Sequence, residues 1–510
     1  NPMEGDQQSI FGKLNIELPN ENKLTLVADL QEWESKWAIN SEKGFIYFPT
    51  PRSISSSSGD DEGTRERFSI SLNLSNKNAL YDSAEVNYYT QETEQSQITV
   101  QNQVSFFGGM QAPPTPTMRI RDFDFNQSID GFSFEAYKSA GDYQMIYGLD
   151  IQDTETERPR MLTEMNLITG MATNVVDGET YPNKTFPDSE TKRKALFFNN
   201  RFGLSDSSVL TLGFRYDDYE LNTSPDLLLS NANILNYQIS NTEDSAFTFK
   251  LGYLQDLSEN LTGFVQYAEG FKAPDYETSN TVFTNYLLFY TVTPNPNLGS
   301  EESDTIEVGL RGSGEDDSWE LAIYRSEVEG FIHPEAVGFS RGLGIYQYQN
   351  AENVEIQGIE FDYERSLTEQ LSFNLAAAIS SGDLFEDNEK HSLPEIDPRE
   401  LILGFNWIPS DKFSLQAMFT LSSKSEDNLE EVCLNNDCWP RVQTSGYSLL
   451  DLFASYIPNE NLEFRVAVEN VTDKKYLRWA SVSELPENDK ELDLYGQNGR
   501  SISASFKYIF

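Results

Sequence analysis

Two histidines and a group of aromatic residues are the side chains of this sequence that could bind iron. His333 and His391 are the only histidines, and imidazole nitrogen is a common iron ligand. One further segment is rich in tyrosine, whose hydroxyl can bind ferric iron, and in rings that can stack on an aromatic ligand. Its members are Tyr276, Phe283, Tyr286, Phe289 and Tyr290. The alternatives are exposed loop histidines without a ligand, and aromatic residues that pack in a loop or at a membrane interface.

The acidic residues do not form an arrangement that is typical of an enzyme. Glu307, Glu360 and Glu463 lie in stretches where polar and apolar residues alternate, which is typical of wall positions on strands rather than of acid–base catalysis. The sequence contains no nucleophile constellation, no phosphate-binding loop and no metal-binding cluster with suitable spacing. We therefore expect neither an enzyme nor a resident metal or cofactor.

Cys433 and Cys438, the only two cysteines, lie close together in a polar stretch. A metal site would need more cysteine or histidine nearby, whereas an oxidising compartment favours a disulfide between the two. We predict a Cys433–Cys438 disulfide within a loop.

The elements that must position these residues are β-strands. Apolar side chains alternate with serine and lysine in residues 501–508, and the same period of two recurs upstream in residues 462–469. No run of about 18 apolar residues could form a spanning helix, yet 13% of the residues are aromatic. The sequence predicts an all-β fold, in which residues 1–510 form one transmembrane antiparallel β-barrel domain.

The alternation also predicts the face that each side chain occupies, because a charged residue at every second position cannot face lipid. We expect a lipid-facing set and a lumen-facing set in residues 462–469. They are Leu462, Phe464, Val466 and Val468 on the lipid side, and Glu463 and Arg465 on the lumen side.

Short and long connections alternate along the chain, which is typical of barrels with short periplasmic turns and long extracellular loops. Short turns are predicted at Pro19–Asn22, Ser205–Ser207, Asp256–Glu259, Ser313–Asp317, Ser366–Glu369, Pro409–Asp411 and Pro458–Glu460. Long loops are predicted at about 35–65, 152–191, 218–244, 272–302, 328–346, 381–397, 424–445 and 471–499. This pattern places both histidines and the aromatic segment outside the cell, where loops 328–346 and 381–397 could bring the histidines together.

The strand count predicts the size of the complete barrel. We count about 21 strands in the chain, and an even-numbered barrel would have about 22. The first strand and an N-terminal plug would then be absent from this sequence, because barrels of this size are normally plugged.

Net charge separates two classes of partner. The chain carries 82 acidic and 37 basic residues, for a net charge of −45. Binding to nucleic acid is not expected, because phosphate contacts require basic clusters. We expect polar stretches such as residues 56–62 to be solvated loops, and the alternative is an acidic outer surface that attracts cations.

Several segments, from about residue 190 onward, resemble the TonB-dependent outer-membrane receptors, and most closely their haem, haemoglobin and transferrin receptor branch. Two boxes carry most of the resemblance, one similar to the family's Phe-Arg-Ala-Pro and the other to its Asn-Pro-Asn-Leu. They are Phe271-Lys272-Ala273-Pro274 and Asn295-Pro296-Asn297-Leu298. Residues 213–217, 302–311, 348–350, 358–360 and 468–476 are similar to other family segments, and Phe510 resembles the terminal signal read by the barrel-assembly machinery.

The resemblance implies a monomeric receptor in the lipid of the bacterial outer membrane. It would take up an iron carrier when the TonB energy-coupling complex moves the plug. The branch implies haem, or haem from a host haem protein, as the transported cargo. In that branch a histidine between the two boxes ligates iron, whereas residues 272–294 contain none. The alternatives are a ferric siderophore receptor, and a passive porin or adhesion barrel without energy coupling.

Overall fold

The computed structural model describes residues 3–286, 288–386, 389–425, 431–434, 437–489 and 492–509. Nineteen long strands form one antiparallel sheet in which each strand pairs with the next in sequence. They are β1 (Met3–Glu17), β2 (Lys23–Ala38), β3 (Arg52–Leu74), β4 (Ser83–Ser105), β5 (Thr115–Ala140), β6 (Tyr143–Glu157), β7 (Asp188–Ser205), β8 (Ser208–Ser224), β9 (Thr242–Ser258), β10 (Leu261–Lys272), β11 (Glu301–Ser313), β12 (Asp317–Glu329), β13 (Asn353–Thr368), β14 (Leu371–Glu386), β15 (Glu400–Ser410), β16 (Phe413–Ser422), β17 (Tyr447–Asn459), β18 (Leu462–Glu469) and β19 (Ser501–Tyr508).

The predicted all-β antiparallel barrel fold is confirmed. Among the described residues, nineteen long strands are present rather than about 21. Strands β3, β4 and β5 contain 23, 23 and 26 residues, which is about twice the 9–11 residues of one membrane crossing, so alternation alone overestimates the strand count. Within the same described residues, β1 pairs only with β2 and β19 only with β18.

The helices are short and lie in the connections. Two α-helices span Leu227–Ala232 and Tyr276–Asn280, and 3₁₀ turns lie at Pro19–Glu21, Asn40–Glu42, Trp479–Ser481 and Leu492–Tyr495. No helix in the described part of the chain has both the length and the apolar character needed to cross a membrane.

The connections confirm the predicted alternation of turns and loops. On one side of the sheet they contain 2 to 8 residues, and on the other side 9 to 31 residues. The seven predicted turns all fall on the short side, and the eight predicted loops all fall on the long side. Sequence analysis missed the turns at 75–82 and 141–142 and the loop at 106–114.

The polar stretch at residues 56–62 is a strand, so the prediction of a loop there was wrong. These residues belong to β3 and pair with residues 96–102 of β4, and the connection between β2 and β3 shrinks to residues 39–51. Ser57 on this strand is buried, and its hydroxyl and the side-chain amide of Gln101 both donate to Glu42 in the connection 39–51. Polar contacts therefore cover one face of the strand, so it lacks apolar alternation.

The predicted faces of β18 agree with its register. Phe464 lies between Tyr456 and Phe506 on the two neighbouring strands, with 5.5 Å between the ring centroids of Phe464 and Phe506. On the other face, Arg465 Nε lies 2.6 Å from Glu463 Oε1. Apolar side chains therefore gather on one face of the sheet and charged ones on the opposite face.

Six glycines lie directly opposite an aromatic residue on the neighbouring strand, and the ring covers the glycine in each pair. The pairs are Trp33/Gly63, Tyr89/Gly131, Phe197/Gly148, Phe264/Gly309, Trp319/Gly312 and Tyr324/Gly358. A Cβ added at Gly131 would lie 2.2 Å from Tyr89 Cε1. These positions therefore require glycine, and each pair opposes a shift of register by one residue.

We expect Gly131→Val to lower the free energy of unfolding by about 1–3 kcal/mol, because the added side chain must displace the Tyr89 ring. Gly12→Val is the matched control, since no heavy atom lies within 4 Å of a Cβ built at Gly12. Both variants gain the same β-strand propensity, so the difference between their urea unfolding midpoints reports the clash. Equal midpoints for the two variants would contradict the prediction.

Candidate functional site

Two of the long loops are joined by a small four-stranded sheet, which we call the loop sheet. Its strands lie in the order Phe283–Asn285, Tyr290–Thr293, Leu343–Asn350 and Ile332–Ser340. The central pairing is parallel and the two outer pairings are antiparallel. Loop 273–300 and loop 330–352 are therefore linked by backbone hydrogen bonds, although β11 and β12 separate them in sequence.

The two sequence boxes hold the ends of loop 273–300. The hydroxyl of Tyr219 donates to the carbonyl of Pro274 at 2.9 Å, and Lys272 Nζ lies 3.3 Å from Glu301 Oε2. At the other end, the side-chain amide of Asn295 donates to the carbonyl of Tyr348 at 2.8 Å. Through these contacts the two boxes hold the ends of loop 273–300 in place beneath the loop sheet.

A cavity of about 420 Å³ lies between the loop sheet, β5 and loop 158–187, and we call it the loop cavity. This volume falls within the range of about 300–1,000 Å³ that is typical of ligand pockets. Aromatic rings and basic side chains form much of its wall. They include Phe123, Arg158, Arg160, Phe283, Tyr346 and Tyr348.

Arg160 is the central cation of the loop cavity. It belongs to a short strand, Pro159–Asn166, that pairs with β5 and sets Arg160 opposite Phe123. Its guanidinium carbon lies 4.8 Å from the ring centroid of Phe123 and 5.4 Å from that of Phe283. The nearest carboxylate oxygen in an ion pair is Glu179 Oε2, 3.8 Å from Nη2. Cation–π contacts with the rings of Phe123 and Phe283 therefore hold the guanidinium group of Arg160 in place.

The other charged side chains at the loop cavity are one arginine and one glutamate, and they differ in their contacts. Arg158 is half-buried and forms no ion pair within the described residues. One carboxylate, Glu277, also lines the cavity. Burial raises the pKa of Glu179, because desolvation disfavours its charged form. The cavity therefore presents two guanidinium groups to an incoming ligand.

Two of the five predicted aromatic residues lie at the loop cavity, since Phe283 lines it and Tyr290 packs on residues that line it. Tyr290 packs edge-on against Phe283 and Tyr346, with ring centroids 6.0 and 5.9 Å apart. Tyr276 packs on Phe186 at 4.8 Å. Burial raises the pKa of Tyr276, which disfavours the phenolate that would bind ferric iron.

Tyr286 and Phe289 join the loop sheet to other loops. The ring of Tyr286 lies over Gly178 in loop 158–187, where an added Cβ would be 3.4 Å from Tyr286 Cε2. Phe289 stacks on Phe48 in loop 39–51, with ring centroids 4.7 Å apart. These two side chains therefore contact protein groups from two further loops.

The two histidines occupy different positions. His333 lies on the loop sheet, and its Nε2 is 2.7 Å from Oε1 of Glu386 at the outer end of β14. His391 lies on the short strand Glu389–Ser392, opposite Leu384 of β14. The structure brings His333 to Glu386 at the end of β14, and the predicted approach of the two histidines to each other stays a prediction. The donor group formed there includes His333 and Glu386 but not His391.

The backbone agrees with the predicted disulfide. Strands Val432–Leu434 and Asp437–Trp439 form a hairpin that sets Cys433 opposite Cys438, and Cys438 is disulfide-bonded. We expect mass spectrometry of unreduced protein to find a Cys433–Cys438 cross-link. Phe510, the predicted assembly signal, lies outside the described residues.

Arg158 and Arg160 were not predicted from the sequence as candidate site residues. The available signal was Arg158-Pro159-Arg160 itself, two basic residues in a long loop of a chain with a net charge of −45. Tyr346 and Tyr348 were missed because only the parallel pairing of the loop sheet brings them to the cavity.

Known proteins resemble this chain in both sequence and structure. It is 25% identical over 335 residues to the hemoglobin-haptoglobin utilization protein B of Neisseria meningitidis serogroup A, which covers 59% of this chain and 41% of that protein. It is 28% identical over 317 residues to the ferric enterobactin receptor PirA of Pseudomonas aeruginosa, which covers 57% and 38% respectively. The chain thus spans about two fifths of these curated relatives.

The solved structure of the copper transporter OprC has the same fold, with a TM-score of 0.66 at 14% identity, covering 99% of this chain and 79% of that one. Residues 12–471 match the family described as TonB dependent receptor-like, beta-barrel. The protein is therefore a member of the TonB-dependent receptor β-barrel family.

Proposed function

We propose that this protein takes up an iron chelate across the bacterial outer membrane by TonB-dependent transport, and that an anionic ferric siderophore is the cargo. The observation that carries the choice of cargo is the loop cavity, where Arg158 and Arg160 lie among aromatic rings. Guanidinium groups bind carboxylate and phenolate oxygens through charge-assisted hydrogen bonds, and the rings can stack on a catecholate.

The position of the histidines supports a siderophore over haem. A siderophore brings its own iron ligands, whereas haem iron needs an axial ligand from the protein. Pro334 lines the loop cavity, and His333 precedes it on the same strand, so the two side chains point to opposite faces. Haem ligation by His333 inside the cavity would therefore require the strand to turn over.

Haem, or haem from a host haem protein, is the second candidate cargo. Its support is the similarity to the hemoglobin-haptoglobin utilization protein B and the presence of Tyr346 and Tyr348 at the loop cavity. A phenol oxygen can serve as the axial ligand of haem iron.

Equilibrium binding to the purified full-length protein distinguishes these cargoes. We expect a ferric tris-catecholate to quench tryptophan fluorescence with a lower Kd than a neutral ferric hydroxamate of similar size, because only the first is anionic. A haem Soret shift on titration with haemin, together with no binding of the ferric tris-catecholate, would overturn the siderophore proposal in favour of haem.

Energy coupling is tested in cells. We expect accumulation of the labelled cargo to stop when the proton gradient is collapsed, since TonB-dependent transport draws on the inner membrane. Accumulation that continues at the same rate would support a passive pore instead.

A further inference from the structure

The loop sheet presents His333 and Glu335 on one face. They are two residues apart on the strand Ile332–Ser340, opposite Gln349 and Gln347, and alternate residues of a strand share a face. Pro334 between them points to the loop cavity. His333 and Glu335 therefore lie on the opposite face of their strand from Pro334, and Gln347, the cross-strand partner of Glu335, also lines the loop cavity.

A third donor comes from a different part of the barrel. Glu386 is the last residue of β14, and one ligand atom from each of His333, Glu335 and Glu386 lies within 4.8 Å of the other two. Two ligands of a tetrahedral metal ion at about 2.0–2.2 Å lie roughly 3.3 Å apart. Small side-chain rotations would therefore bring the three atoms around one ion.

The geometry at His333 points to a missing ligand. Its Nε2 is buried and makes no aligned hydrogen bond, although Glu386 Oε1 is only 2.7 Å away. A buried nitrogen is normally paired, because leaving it unpaired costs free energy. His333 Nε2 and Glu386 Oε1 are thus close together, but they are not aligned as the donor and acceptor of a hydrogen bond. Two ligand atoms of the same cation have this arrangement.

We propose that His333, Glu335 and Glu386 bind a divalent transition-metal ion that fastens loop 330–352 to the outer end of β14. One imidazole and two carboxylates are a donor set that suits Zn²⁺ and other divalent first-row transition-metal ions. Ca²⁺ and Mg²⁺ instead prefer oxygen donors alone. Two negative charges with a neutral imidazole balance a divalent cation. The site does not depend on the identity of the transported cargo.

Metal titration of the purified full-length protein tests this proposal. We expect Zn²⁺ to bind with one ion per chain by calorimetry, and Co²⁺ to produce the visible absorption of a site with nitrogen and oxygen ligands. Zn²⁺ should also slow hydrogen exchange of the backbone amides of Ile332, His333 and Glu335.

Three variants and one control assign the ligands. His333→Gln, Glu335→Gln and Glu386→Gln should each weaken Zn²⁺ binding by at least about tenfold, the loss expected even for a group that only supports a ligand. Glu335 is exposed, so its variant is not expected to disturb folding. His391→Gln is the matched control and should keep the affinity for Zn²⁺. Unchanged Zn²⁺ binding in the three variants, a tighter affinity for Ca²⁺ than for Zn²⁺, or no Zn²⁺ binding would each overturn the proposal.

Discussion

Replacing Arg119 with methionine is expected to lower the free energy of unfolding by about 3–5 kcal/mol, because the change leaves the buried carboxylate of Glu164 without its cation. The Arg119 side chain is 2% exposed, and its Nε lies 2.7 Å from Glu164 Oε2. Its Nη1 lies 2.6 Å from Asp177 Oδ2 in loop 158–187. Methionine has a similar shape, so the loss of unfolding free energy measures the effect of the missing charge rather than of lost side-chain volume.

Arg311→Met is the matched control for Arg119→Met. Arg311 Nε lies 2.8 Å from Glu320 Oε2, but its side chain is 52% exposed, and an exposed ion pair contributes at most about 1 kcal/mol. Urea unfolding of both variants gives the comparison, and limited proteolysis should cut loop 158–187 faster only in Arg119→Met. Similar losses of unfolding free energy in the two variants would count against a buried network at Arg119.

The double replacement of Arg158 and Arg160 by alanine is expected to weaken binding of a ferric tris-catecholate about 100-fold or more. Each hydrogen bond to a charged group contributes about 1.5–3 kcal/mol, and 1.4 kcal/mol corresponds to tenfold in Kd. Arg160→Lys should recover only part of the affinity, because an ammonium group keeps the charge but loses the planar contact with Phe123 and Phe283.

Arg193→Ala is the control for the double replacement. The guanidinium carbon of Arg193 lies 5.5 Å from the ring centroid of Tyr219, so this arginine also stacks on an aromatic ring, but it does not line the loop cavity. Fluorescence quenching should give the same Kd for Arg193→Ala and the unaltered protein. A Kd that stays unchanged in the double variant would place the cargo site elsewhere.

The barrel was predictable because its signal is local. Alternation around Phe464 and Val466 depends only on neighbouring residues, and the short turns between strands contain few residues that could confuse the pattern. The pattern failed in residues 56–62, where no apolar face is needed. It also overestimated the strand count, because strands such as β5, with 26 residues, exceed one crossing.

The candidate site was only partly predictable, because its contacts join distant segments. His333 was predicted as a candidate iron ligand, but its neighbour Glu386 is 53 positions away and is brought close by the pairing of different strands. Arg160 was overlooked because its role depends on the rings of Phe123 and Phe283, which lie in other segments. Contacts of this kind follow from the register of the loops, which a single sequence does not specify.

The unequal strand lengths give the barrel mouth one high side and one low side. At about 3.3 Å per residue and a tilt of about 40°, the 26 residues of β5 rise by roughly 65 Å, whereas the 8 residues of β19 rise by only about 20 Å. Movement of the high side would break the backbone hydrogen bonds that join its long strands. On the low side the strands are short, and loops follow them. Phe123 on β5 places the loop cavity against the high side. A docked carrier would thus rest on a fixed wall, and entry and release would proceed by rearrangement of the connections across from it.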